Sequence, residues 1–294
     1  MKPNILFILL LLMVSGCGQQ TADRDVKSHD GVEISYSVYG KGLPALVFVH
    51  GWACDKTYWK YQVPEFSKKF TVVIMDYAGH GQSGADREDF TIESFGDDVA
   101  AVVNDLNLDQ VILIGHSMGG YVIIDAATKL PGKVLALVGI DTYEQLVDTV
   151  FTREMMAQFT TPFYADFSNS VKAMVKGMFP AGADSALVEQ ISDDMASAPK
   201  DIAMSAFENM FDYSTRLEAI LKTVDLPFYA VSSDLYPTNV EDNLKYVKSF
   251  GVKIMEGYGH FLMMENPELF NQLLGETIDE ITANITDEAR LKKQ

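Results

Sequence analysis

Cysteine is almost absent from the chain. Cys17 and Cys54 are the only two in 294 residues, so at most one disulfide could form and the core must hold the fold by itself. Basic residues are scarce as well: 23 Lys and Arg stand against 41 Asp and Glu, for a formal net charge of −18. That excess of acid argues against a nucleic-acid partner and against electrostatic adhesion to anionic lipid. No apolar run approaches the roughly 20 residues of a spanning helix. There is no H-E-x-x-H, no paired C-x-x-C, and no G-x-G-x-x-G after the first strand, so no metal or other cofactor is implied. Internal repeats and low-complexity tracts are also lacking. What remains is an ordinary globular composition, 48% hydrophobic and 22% charged, with length enough for one large α/β domain.

The N-terminus reads separately. Lys2 precedes an unbroken apolar run of ten residues from Ile5 to Val14, too short to cross a bilayer but suited to the core of a signal peptide. Val14-Ser15-Gly16-Cys17 follows and resembles the lipobox of bacterial lipoproteins, in which the Cys is acylated and the chain is cut just before it. The expectation is a leader over 1–16, lipidation at Cys17, and a polar tether over 17–30. The alternative is an ordinary secretory signal with an incidental Cys. Gly18, in place of Asp, implies by the same resemblance an outer-membrane destination in a Gram-negative envelope. Attachment to the membrane then rests on the lipid. Cys54 is left without a partner, as a small packing residue.

Beyond the tether, Val32, Ile34, Tyr36 and Val38 alternate with polar neighbours, the pattern of a half-exposed strand. Short apolar runs follow at 45–49, 71–75, 111–114 and 134–140, as expected for strands buried on both faces of a parallel sheet. Between them, Phe95, Val99, Val102 and Leu106 fall on one helix face. Alternating strands and helices predict a doubly wound, mostly parallel α/β sheet. The rhythm stops after Asp141. Residues 142–222 contain no convincing strand, recur in Met and Phe, and are divided by Pro162, Pro180 and Pro199, which predicts an inserted helical cap. Most of those apolar side chains should form the cap's own core, and some should line an adaptable substrate pocket. The core is expected over 31–141 and 223–286, with a strand at 227–232, a helix at 240–250, a strand at 252–255 and a last helix from Pro267 to about Ile285.

The strongest chemical signal is Gly115-His116-Ser117-Met118-Gly119-Gly120, placed after a buried strand and before a helix-compatible run. That is the context of a G-x-S-x-G nucleophile elbow. A sharp strand-to-helix turn strains the Ser backbone, the flanking glycines remove side chains that would collide, and the helix N-terminus favours a developing negative charge.

At these residues the chain resembles the α/β-hydrolase superfamily, over about 31–285 and least specifically in the cap. Besides the elbow, the resemblance rests on His50-Gly51-Trp52, on Asp76-Tyr77-Ala78-Gly79-His80-Gly81-Gln82-Ser83, and on Gly257-Tyr258-Gly259-His260. The commonest form of the second motif has Arg where Ala78 stands, at a structural position. The resemblance and position together imply the backbone N–H groups of Trp52 and Met118 as oxyanion donors.

A serine hydroxyl needs a base, and five histidines are available. His29 lies in the expected tether, His50 and His80 in loop motifs, and His116 beside Ser117, where an adjacent side chain points away. His260 remains, on a loop after the last strand at the C-terminal edge of the sheet. For the acid that orients it, Asp234 is favoured and Asp141 is the alternative, otherwise a cap-anchoring carboxylate. Substrate-pocket candidates are Trp52, Met118, Met178, Phe179 and Phe261.

The expected activity is that of an envelope-anchored carboxylic ester hydrolase acting on a small molecule. The same residues could serve C–C, lactone or amide bonds, and a non-catalytic ligand-binding lipoprotein is the third reading. Haloalkane dehalogenases and epoxide hydrolases place Asp at the nucleophile position, so Ser117 argues against both.

Overall fold

The computed structural model describes the backbone of residues 23–147 and 152–291, with side chains to residue 285. The expected leader and Cys17 lie outside the described residues.

Among the described residues, eight strands form one sheet: β1 (Arg24–Lys27), β2 (Glu33–Tyr39), β3 (Ala45–Val49), β4 (Thr71–Met75), β5 (Val111–His116), β6 (Val134–Ile140), β7 (Phe228–Ser233) and β8 (Phe250–Met255). Their spatial order is β1-β2-β4-β3-β5-β6-β7-β8. From β4 to β8 every neighbouring pair is parallel, while β1 and β2 are antiparallel additions at one edge. Ala45–Val49 and Val111–His116 are buried along their whole length, as continuous apolar runs in the middle of a parallel sheet should be.

The helices are α1 (Val63–Phe66), α2 (Ile92–Asp105), α3 (Met118–Lys129), α4 (Arg153–Ala165), α5 (Phe167–Gly177), α6 (Ser185–Ala196), α7 (Lys200–Ser214), α8 (Leu217–Leu221), α9 (Val240–Asn243), α10 (Leu262–Glu265) and α11 (Pro267–Leu291). Helix α2 starts in a capping box between Thr91 and Ser94 and buries Phe95, Val99 and Val102, the face that the sequence period marks. Helices α4 to α8 fill the interval between β6 and β7, where the cap is expected.

Three expectations need correction. The polar tether does not extend to residue 30, because Arg24–Lys27 pairs with β2 as an edge strand. Ser28 and Asp30 are then tied inward: the Ser28 hydroxyl donates to Asp98 (2.5 Å), and Arg87 joins Asp30 to Asp98 at 2.6 and 2.7 Å. Strand β2 is not half-exposed. Ser35 and Ser37 are as buried as Ile34 and Tyr36; the Ser35 hydroxyl accepts from the Lys56 ammonium (3.0 Å) and the Ser37 hydroxyl donates to Asp23. A small hydroxyl with a partner can be buried at little cost. The helix expected at 240–250 stops at Asn243. By residue 249 the chain is already in register with β7, where the Phe228 N–H donates to the Ser249 carbonyl (3.2 Å).

Candidate active site

Ser117 stands between β5 and α3 with φ 52° and ψ −122°, a region that a side chain normally avoids. The surroundings enforce it. A Cβ on Gly115 would lie 2.3 Å from the Gly119 carbonyl oxygen, and one on Gly119 would lie 2.7 Å from the carbonyls of Val49 and His50. Strand and helix therefore approach more closely than any larger residue allows. The Ser117 N–H donates to Ile140 O (3.0 Å), and its carbonyl accepts from Gly120 N–H (2.8 Å) and the Thr142 hydroxyl (2.7 Å). The strained residue is thus held from both sides.

The loop after β3 lies against this elbow. An ideal Cβ on Gly51 would be 3.2 Å from Ser117 Cβ and 2.8 Å from His116 Nδ1, so only glycine brings that backbone so near. The loop is shaped from beneath: Tyr77 donates its hydroxyl to the His50 carbonyl, and the His50 ring packs on Tyr77 and His80 with centroids 4.1 and 5.3 Å apart. Burial pushes His50 down to about 4; burial, then repulsion from His50, takes His80 to about 3. Both are neutral supports. Among the described residues, neither the Trp52 nor the Met118 amide N–H has an acceptor, which suits two donors waiting for an oxyanion.

His260 follows β8, and its Nδ1 is 2.7 Å from Asp141 Oδ2. To donate to a carboxylate, Nδ1 carries the proton, which leaves the Nε2 lone pair free. Asp141 directly follows β6 with φ 46°, and its other oxygen accepts the Ser233 N–H at 2.7 Å. The sequence favours the other aspartate as the acid, and the geometry corrects this. Asp234 is exposed and turned to the backbone, accepting the Gly257 N–H at 2.8 Å. Burial opposes a charge on His260, but the hydrogen bond and charge of Asp141, with smaller help from Glu144 and Glu265, raise its pKa above the ordinary histidine value. Burial likewise pushes Asp141 upward, yet its bonds to His260 and Ser233 hold it below the usual carboxylate range. Glu144, buried and repelled by Asp141, is raised to about 7.

Ser117 and His260 share a small cavity of about 50 Å³. Trp52, Met178 and Phe261 line it, as the sequence suggests. Met118 and Phe179 do not: Met118 is buried at the start of α3, and Phe179 stacks on Phe261 at 5.4 Å, outside the cavity wall. The remaining wall is Cys54, His116, Met174, Met195, Phe207 and Met210. Composition marks the cap as rich in Met and Phe, but no sequence signal selects these members. The Trp52 ring both lines the cavity and docks the cap, with its indole N–H on Ala203 O (2.6 Å) and its edge against Phe207 at 5.3 Å. Apart from His116, Ser117 and His260, the wall is apolar or thiol. No cluster able to hold a metal occurs among the described residues.

A family model described as alpha/beta hydrolase fold matches residues 44–179. Among curated proteins, the karrikin insensitive 2 receptor IA of Petunia hybrida is 24% identical over 266 residues, covering 85% of this chain and 96% of its own length. A probable esterase of Oryza sativa subsp. japonica is 26% identical over 253 residues, covering 79% of this chain and 90% of its own. Among solved structures, an esterase from Exiguobacterium antarcticum superposes with a TM-score of 0.78 at 17% identity, covering 88% of this chain and all of that one. A thermophilic esterase from Thermogutta terrifontis gives 0.75 at 23% identity, covering 89% and 99%.

Proposed function

We propose that this chain, which has the α/β-hydrolase fold, is a serine hydrolase that cleaves carboxylic esters through Ser117, His260 and Asp141. The observation that carries the proposal is the convergence of a strained Ser117 and a His260 already paired with a buried Asp141 in a single apolar cavity. In the reaction, the free Nε2 of His260 takes the Ser117 proton as the hydroxyl oxygen attacks the ester carbonyl. The Trp52 and Met118 N–H groups receive the oxyanion, Asp141 stabilises the imidazolium, and His260 returns the proton to the leaving alcohol. Water then hydrolyses the acyl-enzyme by the same route.

The lining supports an uncharged acyl group. A cavity of about 50 Å³ is well below the roughly 300 Å³ of the smallest usual ligand pockets, so substrate entry requires the Met-rich cap to give way. A p-nitrophenyl ester series of increasing acyl length tests the proposal. Turnover by residues 18–294 that disappears in Ser117→Ala supports it, and the length optimum sizes the pocket. Turnover of lactones, amides or C–C substrates but no ester would move the same residues to those bonds.

A second reading, ligand binding with little turnover, is favoured by the similarity to a protein named as a receptor. Failure of a fluorophosphonate to label the folded chain would support it over hydrolysis. We also propose that Cys17 is lipidated and holds the domain on a bacterial envelope membrane. Metabolic incorporation of an alkyne fatty acid that is lost in Cys17→Ala is the expected result, and equal incorporation in both would refute it.

A further inference from the structure

The backbone that carries His260 is held at each residue. The His260 N–H donates to the Met178 carbonyl at the end of α5 (2.9 Å), and its own carbonyl accepts from His116 Nε2 (2.9 Å). The amides on either side both go to one side chain. Glu265 accepts the Gly259 N–H with its two oxygens at 3.1 and 2.9 Å, and the Phe261 N–H at 3.0 Å. Phe261 precedes α10, so its bond to Glu265 is a helix-capping contact. The Gly259 bond serves no helix, since it reaches across His260 to the loop before it. A Cβ at Gly259 would meet the Met178 carbonyl at 2.3 Å, so the loop lies pressed against the segment that follows α5.

We infer that Glu265 is a positioning residue for His260: its carboxylate grips the amides flanking the imidazole and fixes that ring between Asp141 and Ser117. This rests on the hydrolase reading above. A reach of one side chain to both neighbours matters because a displacement of about 1 Å at a reacting group can cost on the order of 100-fold in rate. The titratable groups around the ring are Asp141 and Glu144 from the β6–α4 loop, Glu265 itself, and His116, whose ring lies 4.7 Å away.

The test uses the whole mature chain and the variants Glu265→Gln and Glu265→Ala. Glu265→Gln keeps the shape but loses one acceptor oxygen and the charge. It should lower kcat about tenfold with KM nearly unchanged, and Glu265→Ala on the order of 100-fold. The kinetic pKa on the acidic limb of kcat/KM should fall in Glu265→Gln, because a nearby negative charge that favoured the imidazolium has gone. A purely structural role gives a lower Tm with kcat and that pKa unchanged, and this would overturn the inference. An independent readout is the proton NMR signal of the His260 Nδ1–H bonded to Asp141. It should broaden or move in both variants, even in a chain that turns over no ester; a signal identical to the parent's would also overturn the inference. Loss of the hydrolase reading alone is recognised separately, by Ser117→Ala retaining activity.

Discussion

At the scale of single residues, the acid of the proposed triad separates two aspartates. Asp141 and Asp234 each directly follow a core strand, and both fall between Ser117 and His260 in the chain. Their distinction lies in where each carboxylate turns, which no pattern in the sequence encodes: Asp141 faces the imidazole, Asp234 the Gly257 amide. Asp141→Asn should lower kcat by about 10⁴-fold through loss of the correct His260 tautomer, while Asp234→Asn should stay within a few-fold. Equal losses in both would remove Asp141 from its role. The pH dependence follows from His260. A base works only when neutral, and its pKa is raised, so kcat/KM should climb with pH through an apparent pKa above 6.5. A profile already flat at pH 6 would contradict that. Ser117 and His260 were legible in the sequence because each belongs to a motif with its own backbone signature. Glu265 was not, because what it does is hold two amides of a loop.

Among the elements, the parallel strands were the most legible, since burial on both faces leaves an unbroken apolar run. The shortfalls came where long-range pairing overrides local pattern: β1 within the expected tether, the buried serines of β2, and the early end of α9. The cap was legible as a region, but its cavity wall was not. Helices α5, α6 and α7 supply Met174, Met195, Phe207 and Met210, and which faces turn inward depends on how those helices cross. Met210→Ala should enlarge the cavity and move the acyl-length optimum upward, with a stability cost near the lower end of the ~2–5 kcal/mol for fully buried methionines, because Met210 is only partly buried. An unchanged optimum would place the acyl chain elsewhere. Starting the chain at residue 31 removes β1 together with Ser28 and Asp30, one partner each of Asp98 and Arg87, so its Tm should fall below that of residues 18–294.

For the molecule as a whole, acid is the weak side. His50, His80 and His116 are each buried and neutral, with pKa values lowered to about 4, 3 and 3. The unfolded chain takes up those protons near pH 6.5 and the folded one does not. The stabilisation is therefore complete above about 6.5 and is lost as pH falls towards the folded values. At pH 5 each histidine withdraws about 2 kcal/mol, while Glu144 and Asp125, raised to about 7 and 6, and His260, also raised, take up protons in the folded state first and return part of that loss. A net, partly offset fall in Tm between pH 7 and pH 5 is expected, and an unchanged or higher Tm at pH 5 would contradict it. The proposed lipid anchor acts at short range. From Cys17 to Asp23, where the described fold begins, an extended chain spans about 20 Å, so the domain would lie close to the bilayer.

The central claim is that Ser117 is an activated nucleophile, and intact-mass spectrometry after exposure to a fluorophosphonate tests it most directly. A single adduct on the parent chain, mapped to the peptide holding Ser117 and absent from folded Ser117→Ala, is the expected result. An unlabelled parent chain, or an equal adduct on Ser117→Ala, would contradict it.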